Sequence, residues 1–168
     1  MIPDRQALGI ASHFEAAKGA YIIRDFLPNL PKMGTVIVQG TSTTDGIIKI
    51  LPKLDEKVLN VKIVAAISYE LFLLQGKAYR NRILPWEEWL DSMVITNESL
   101  QNMDDWISSQ VAKEYSMSAD FDNHWRTGGT VDEVLDEAHL TPEWLLKGID
   151  RFVKERRHRV NRLRAVNA

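Results

Sequence analysis

The run Gly34-Thr35-Val36-Ile37-Val38-Gln39-Gly40-Thr41-Ser42-Thr43-Thr44-Asp45-Gly46 changes its period partway along. Thr35 to Gln39 is mostly β-branched, a composition that suits an extended chain. Gly40 ends it, and a polar turn follows through Thr44. Beyond the turn, Ile47, Ile48, Leu51 and Leu54 recur at helical spacing, with Thr44 or Asp45 as the cap and Pro52 expected to shorten or kink the helix. A second strand is read over Val61 to Ile67, apolar enough to be covered on both faces. A second helix is read from Tyr69 to Asn81, with Leu71, Phe72, Gln75, Ala78 and Tyr79 on one stripe, closed by Leu84-Pro85. Ser92 to Thr96 is the third strand. Strand, helix, strand, helix, strand predicts an α/β fold of three layers, a mainly parallel sheet with helices on both faces and right-handed crossovers.

Upstream, residues 1–32 read as a linker or extension from a preceding domain, ending in Leu27-Pro28-Asn29-Leu30-Pro31-Lys32, where two prolines discourage regular structure. Within it, Ala20 to Phe26 alternates loosely, as a short edge strand would. Residues 33–168 form the α/β domain. Downstream, Asp104 and Asp105 are expected to open a helix running through Glu114, since carboxylates favour the positive end of a helix. Tyr115 to Gly129 is an aperiodic loop rich in aromatics and Asp, and Val131 to Ala138 a short helix. Thr141 caps and Pro142 opens a last helix, whose stripe of Leu145, Ile149, Phe152, Val160 and Leu163 predicts one continuous element.

With 168 residues, 45% of them hydrophobic and 26% charged, the chain suits one globular core. Cysteine is absent, which excludes disulfides, thiolate catalysis and Cys-ligated metal. No apolar run is long enough to span a bilayer, and Met1-Ile2-Pro3-Asp4-Arg5 lacks the apolar block of a signal peptide, so a soluble cytoplasmic protein with no membrane partner is expected. The net charge of −2 conceals a partition: residues 1–85 carry 11 Lys/Arg and 7 Asp/Glu, residues 86–143 carry 2 and 14, and residues 147–168 carry 8 and 2. Blocks so opposed predict that the basic end meets the acidic middle, its own or a partner's.

Four histidines at 13, 124, 139 and 158 show no metal-ligand spacing, and no metal site is expected. Nucleophile-elbow and phosphate-loop motifs are missing, so no complete active site or catalytic residue is read. Gly40, Thr41, Ser42 and Thr43, between a strand and a helix, could hold an anion on free backbone N–H groups. A plain polar turn is the favoured alternative, because Asp45 repels a phosphate and no cation lies within the loop. The run Lys154-Glu155-Arg156-Arg157-His158-Arg159 reads as a solvated or partner-facing helix face in preference to a nucleic-acid site. Tryptophans 86, 89, 106, 125 and 144 invite ring stacking on a ligand, but Trp86 and Trp89, three apart on a short helix, are more simply core or interface anchors.

Several blocks resemble the C-terminal domain of transketolase. Gln75-Gly76-Lys77-Ala78-Tyr79-Arg80-Asn81-Arg82-Ile83-Leu84-Pro85 is similar to the family's Gln-x-x-x-Tyr-Arg-x-x-x-Leu-Pro block, the most specific match. Val64 to Ser68 resembles the strand before it, Thr35 to Thr43 a strand and Thr-Gly-Ser turn, and Lys18 to Asp25 a Gly-Gly-Tyr-Val-Leu stretch. Arg5-Gln6-Ala7-Leu8 looks like the Ser-Arg-Gln-Asn-Leu segment ending the pyrimidine-binding domain, with Asp4 and Ala7 in place of Ser and Asn. After residue 98 the likeness weakens: His124 to Thr130 replaces a Phe-Gly-x-Ser-Ala-Pro stretch before Glu133-Val134-Leu135 restores it.

The resemblance implies the C-terminal structural and dimerisation portion of an enzyme of the pentose phosphate pathway that moves a two-carbon ketol unit between sugar phosphates. The carbanion chemistry belongs to thiamine diphosphate, held with Mg²⁺ by other domains, so this chain alone is expected to bind neither and to be inactive. Its implied partners are those remaining domains or a separate catalytic subunit, and a second copy in a homodimer. Arg5 alone matches a substrate-touching residue, a guanidinium that grips the sugar's terminal phosphate. In the isolated chain Arg5 is expected to be a mobile, solvated terminal arginine. Two other readings stand beside this one, the third domain of a thiamine-dependent 2-oxoacid dehydrogenase E1 component and a free-standing, non-catalytic anion-binding or interaction module.

Overall fold

A computed structural model describes residues 4–6, 8–124, 126 and 128–166. Ala7, Trp125 and Thr127, quoted above, lie outside the described residues. The strands are β1 (Ala20–Arg24), β2 (Thr35–Gln39), β3 (Lys62–Ala66) and β4 (Ser92–Thr96), ordered β1-β3-β2-β4 in one sheet. β3 and β4 lie parallel to β2, with Ile37 opposite both Val64 and Val94, and β1 joins antiparallel at the edge. The mainly parallel α/β sheet expected from the sequence is therefore present, and the expected extension contributes its edge strand.

Alternation divides these strands between two cores. Val36, Val38, Ile63, Ala65, Met93 and Ile95 face α1 (Thr41–Glu56) and α7 (Pro142–Lys154). Ile37, Val64 and Val94 face the opposite layer, which includes Phe72 of α2 (Tyr69–Leu73), Ile83 of α3 (Lys77–Ile83) and Trp106. The reason is topological: the connections β2 to β3 and β3 to β4 run in opposite directions across the sheet, and right-handed crossovers then place their helices on opposite faces.

Several helices differ from the sequence reading. α1 begins at Thr41, so the hydroxyl run is its first turn and not a loop, and it continues past Pro52 to Glu56. Pro52 lies on the exposed side, while Ile47, Ile50 and Leu54 are buried, and that burial outweighs one lost backbone hydrogen bond. The helix expected over Tyr69 to Asn81 is two helices, parted at Leu74-Gln75-Gly76, where Gly76 (ψ 150°) turns extended to start α3. α4 (Trp86–Leu90) follows at once. Asp104 and Asp105 open no helix: they end the 3₁₀ helix Leu100–Trp106, and the Ser109 hydroxyl caps α5 (Gln110–Tyr115) instead. Within the expected loop, Met117 pairs beside β4, its N–H donating to Val94 O at 2.8 Å and its carbonyl accepting from Thr96 N at 2.9 Å. α6 (Val131–Glu137) has a capping box of Thr130 and Glu133.

The last helix is broken at Glu155 into α7 and α8 (Arg156–Val166). This turns Arg159 inward. It is fully buried, its guanidinium carbon 3.5 Å from the Phe152 ring centre, and it donates to Asp91 at 2.7 and 3.0 Å. Arg156 donates to the other oxygen of Asp91 at 2.7 Å, and Arg162 pairs with Glu114. The basic run is thus no uniform solvated face, and the basic end does meet the chain's own acidic middle.

Two side chains tie down the N-terminal segment. Buried Asn60 accepts from Leu27 N at 2.8 Å and donates to the carbonyls of Leu27, Leu30 and Pro31, which orders the proline-containing stretch. Tyr79 donates to Ala20 O at 2.8 Å and lies 3.2 Å from the Glu15 carboxylate, fastening α3 to β1. Burial, with Glu15 beside it, pushes the Tyr79 phenol up to about 12.

Candidate functional site at the carboxyl ends of the central strands

Parallel strands direct their carboxyl ends, and the helix that leaves the first of them, toward one crevice. Here it is a cleft of about 440 Å³, with walls from Gln39 and Gly40 at the end of β2, Thr41 and Asp45 of α1, and Ala65 to Ile67 at the end of β3. Arg5 and Tyr21 complete it. Tertiary structure thereby supplies the cation that the turn itself lacks.

Arg5 is half-buried and held, not a solvated terminal arginine. Its Nη1 donates to Ala11 O at 3.0 Å, and both Nη atoms approach the Tyr21 hydroxyl, at 3.3 and 3.2 Å. Its guanidinium carbon is 5.6 Å from the centre of the Tyr21 ring. These contacts leave part of the five-donor fork for a ligand.

Gly40, with φ 97° and ψ 150°, precedes α1 with no side-chain cap. The first-turn N–H groups therefore retain the partial positive charge of a helix start. Of the four residues read as an anion-binding turn, Gly40 and Thr41 line the cleft with Arg5. Ser42 does not, and Thr43 is buried with its hydroxyl donating to the carbonyls of Gln39 and Gly40 at 2.5 and 3.0 Å. Asp45 hydrogen-bonds Lys49 at 2.7 Å and holds that ammonium above the usual lysine range, which in turn offsets the repulsion expected of Asp45.

Sequence reasoning missed the supports of this turn. A Cβ on Gly40 would lie 1.8 Å from Asn97 Oδ1, a buried oxygen without a hydrogen-bond partner. Gln39 accepts from the Thr96 hydroxyl at 2.5 Å and donates to Glu98 at 3.2 Å, joining the ends of β2 and β4. Only the parallel register of β2 with β4 brings these residues together. The cleft offers a guanidinium, backbone donors and hydroxyls around one already paired carboxylate, a chemistry suited to holding an anion. Among the described residues, no three His, Asp or Glu side chains come together as a metal site.

No family model matches the chain, and no curated protein does. Solved structures match. Transketolase from Leishmania mexicana is 18% identical with a TM-score of 0.61, over 86% of this chain and 19% of that one. Transketolase from Pichia stipitis, in a complex with sedoheptulose-7-phosphate, is 16% identical with a TM-score of 0.58, again over 86% and 19%. Transketolase from Campylobacter jejuni is 18% identical with a TM-score of 0.50, over 80% and 18%. The chain has the fold of a transketolase C-terminal-type domain and spans about a fifth of the length of these structures.

Proposed function

We propose that this chain is the C-terminal structural and dimerisation portion of a thiamine diphosphate-dependent transketolase, residues 33–168 carrying its α/β domain and residues 1–32 the approach from a preceding domain, which lends that domain the edge strand β1. The observation that carries the reading is the coverage, 86% of this chain against 19% of the transketolase from Leishmania mexicana. Its exposed apolar side chains agree with it: Phe14, on a 3₁₀ helix (His13–Lys18), is 74% exposed and Leu74, just past the end of α2, 80%, and both elements contact the edge strand β1. Faces of this kind are covered in multidomain assemblies. In this reading thiamine diphosphate and Mg²⁺ are held by the other domains of the enzyme. Arg5, which lines the cleft, in this reading binds the terminal phosphate of the sugar. The intact mass of the native protein in its source cell tests this. A polypeptide, or a stable complex, several times heavier than 19.2 kDa is expected, and a lone monomer of that mass would overturn it.

One observation favours a second reading. Arg5 and the uncapped start of α1 already share a cleft within this chain, as a free-standing anion-binding module would require. Calorimetry of the isolated chain with inorganic phosphate and sugar phosphates separates the two, since submillimolar binding without any other domain would favour the module.

A further inference from the structure

Three of the five tryptophans meet on the face of the sheet opposite α1. Trp86 and Trp89 of α4 and Trp106 of the 3₁₀ helix line a cavity of about 280 Å³, bordered by Tyr69 and by α3. Two of the rings are locked in place. Trp89 Nε1 donates to the Trp106 carbonyl at 2.8 Å, and Trp106 packs edge-on to Tyr69, their ring centres 5.2 Å apart. Trp86 lies against Trp89 at 5.1 Å yet remains 61% exposed, so an indole stands open at the cavity.

Helix α3 supplies the charge. Lys77 and Arg80, three residues apart and so neighbours on one side of a helix, both line the cavity. The Nε of Arg80 is shielded from solvent and meets no acceptor. Several half-buried or buried arginines have carboxylates: Arg24 has Asp55, Arg126 has Asp122, Arg162 has Glu114, and Arg156 and Arg159 share Asp91, while Arg5 is met by the Ala11 carbonyl and the Tyr21 hydroxyl. Glu88, on the neighbouring helix, is taken by Lys32 and Lys62. A guanidinium donor removed from water without an acceptor is unfavourable, and no ion pair with a carboxylate of the described residues neutralises this cation. Tyr79 beside it fastens α3 to β1, a structural task that Arg80 does not share.

We propose that this cavity binds a planar aromatic carboxylate from solution, its ring against the indoles of Trp86 and Trp89 and its carboxylate on the fork of Arg80, with Lys77 adding charge. A guanidinium meets a carboxylate through two parallel N–H···O bonds, and aromatic faces stack in offset geometry. The volume admits an acid of one or two rings. The proposal is independent of the transketolase reading.

The test uses the full chain, ¹⁵N-labelled, whose five indole N–H signals report on separate tryptophans. Titration with 2-naphthoate is expected to shift Trp86, Trp89 and Trp106 saturably and to leave Trp144, which lines a different cavity, in place. The neutral 2-naphthalenemethanol is expected to bind about tenfold more weakly, as is 2-naphthoate to Arg80→Gln, for loss of a charge-assisted pair. Exposed Trp86 gives a second variant, Trp86→Ser, expected to lose about tenfold in affinity while thermal unfolding stays at the parent's midpoint. Shifts that do not saturate by about 10 mM naphthoate would overturn the proposal, as would equal affinity for acid and alcohol. So would undiminished binding by a folded Arg80→Gln. Should that variant not fold, the acid-to-alcohol ratio and Trp86→Ser decide alone.

Discussion

Arg5 is the residue on which the proposed role in the intact enzyme makes its direct chemical claim. A hydrogen bond to a charged group contributes roughly 1.5–3 kcal/mol, so Arg5→Ala should lower kcat/KM for phosphorylated sugars by about one to two decades. An unphosphorylated donor and thiamine diphosphate binding should change little, since the grip is on the far phosphate. Steady-state kinetics of the full-length enzyme with both donors checks this, and equal losses would remove Arg5 from the phosphate site. Asp91 matters for stability. It faces Arg159, which has no exposure at all, and burial pulls that guanidinium below its usual range against the support of Asp91. Asp91→Ala leaves a buried cation unpaired and should cost roughly 3–5 kcal/mol in urea unfolding, whereas Asp91→Asn with Arg159→Met should recover most of it. A loss below about 1 kcal/mol would mean that Arg159 reaches water in the variant.

At the scale of elements, β3 lies between β1 and β2 with Val64 wholly buried against the second core. Val64→Asp puts a carboxylate in that layer at a cost of several kcal/mol, comparable with the stability of a whole domain, and should abolish the cooperative thermal transition. Retention of that transition near the parent's midpoint would show that the strand tolerates opening. The junction of β2 and α1 depends on a glycine. Gly40→Ala meets both a left-handed φ of 97° and the Asn97 side chain, and should destabilise by roughly 1–3 kcal/mol. Adding Asn97→Ala should recover the steric part alone, leaving the backbone part visible in the same denaturant titration.

Over the whole molecule, the divided charge of the sequence becomes a set of ties between distant elements. Lys32 and buried Lys62 converge on Glu88 at 2.7 and 2.8 Å. Burial pushes the Glu88 carboxyl up, but the hydrogen bonds and charges of the two lysines prevail and hold it below its ordinary 4.5. A carboxylate with a depressed folded-state value binds its proton more readily in the unfolded chain. Its contribution is therefore complete above pH 4.5 and lost as pH falls through the folded value. Glu88→Gln should be less stable than the parent at neutral pH, and the gap should close in urea titrations carried to acid. A gap independent of pH would mean that the pair acts by packing.

The sequence by itself determined the alternation of β-branched runs and helical stripes, and with it the α/β class, because these patterns are local consequences of backbone period and side-chain shape. It also placed the start of α7, where Pro142 opens the first turn, although the Thr141 side chain before it makes no capping hydrogen bond. Helix breaks at Gly76 and Glu155 were not legible, since the same apolar stripes continue across them. Tertiary structure alone decided that Asn60 orders the proline stretch, that Arg159 turns inward to Asp91, and that Arg5 joins Gly40 and Thr41 in one cleft. Each of these joins residues far apart in the chain, and which of its many polar side chains meet is set by strand order, register and crossover hand, since residues distant in sequence become neighbours only after the sheet has formed.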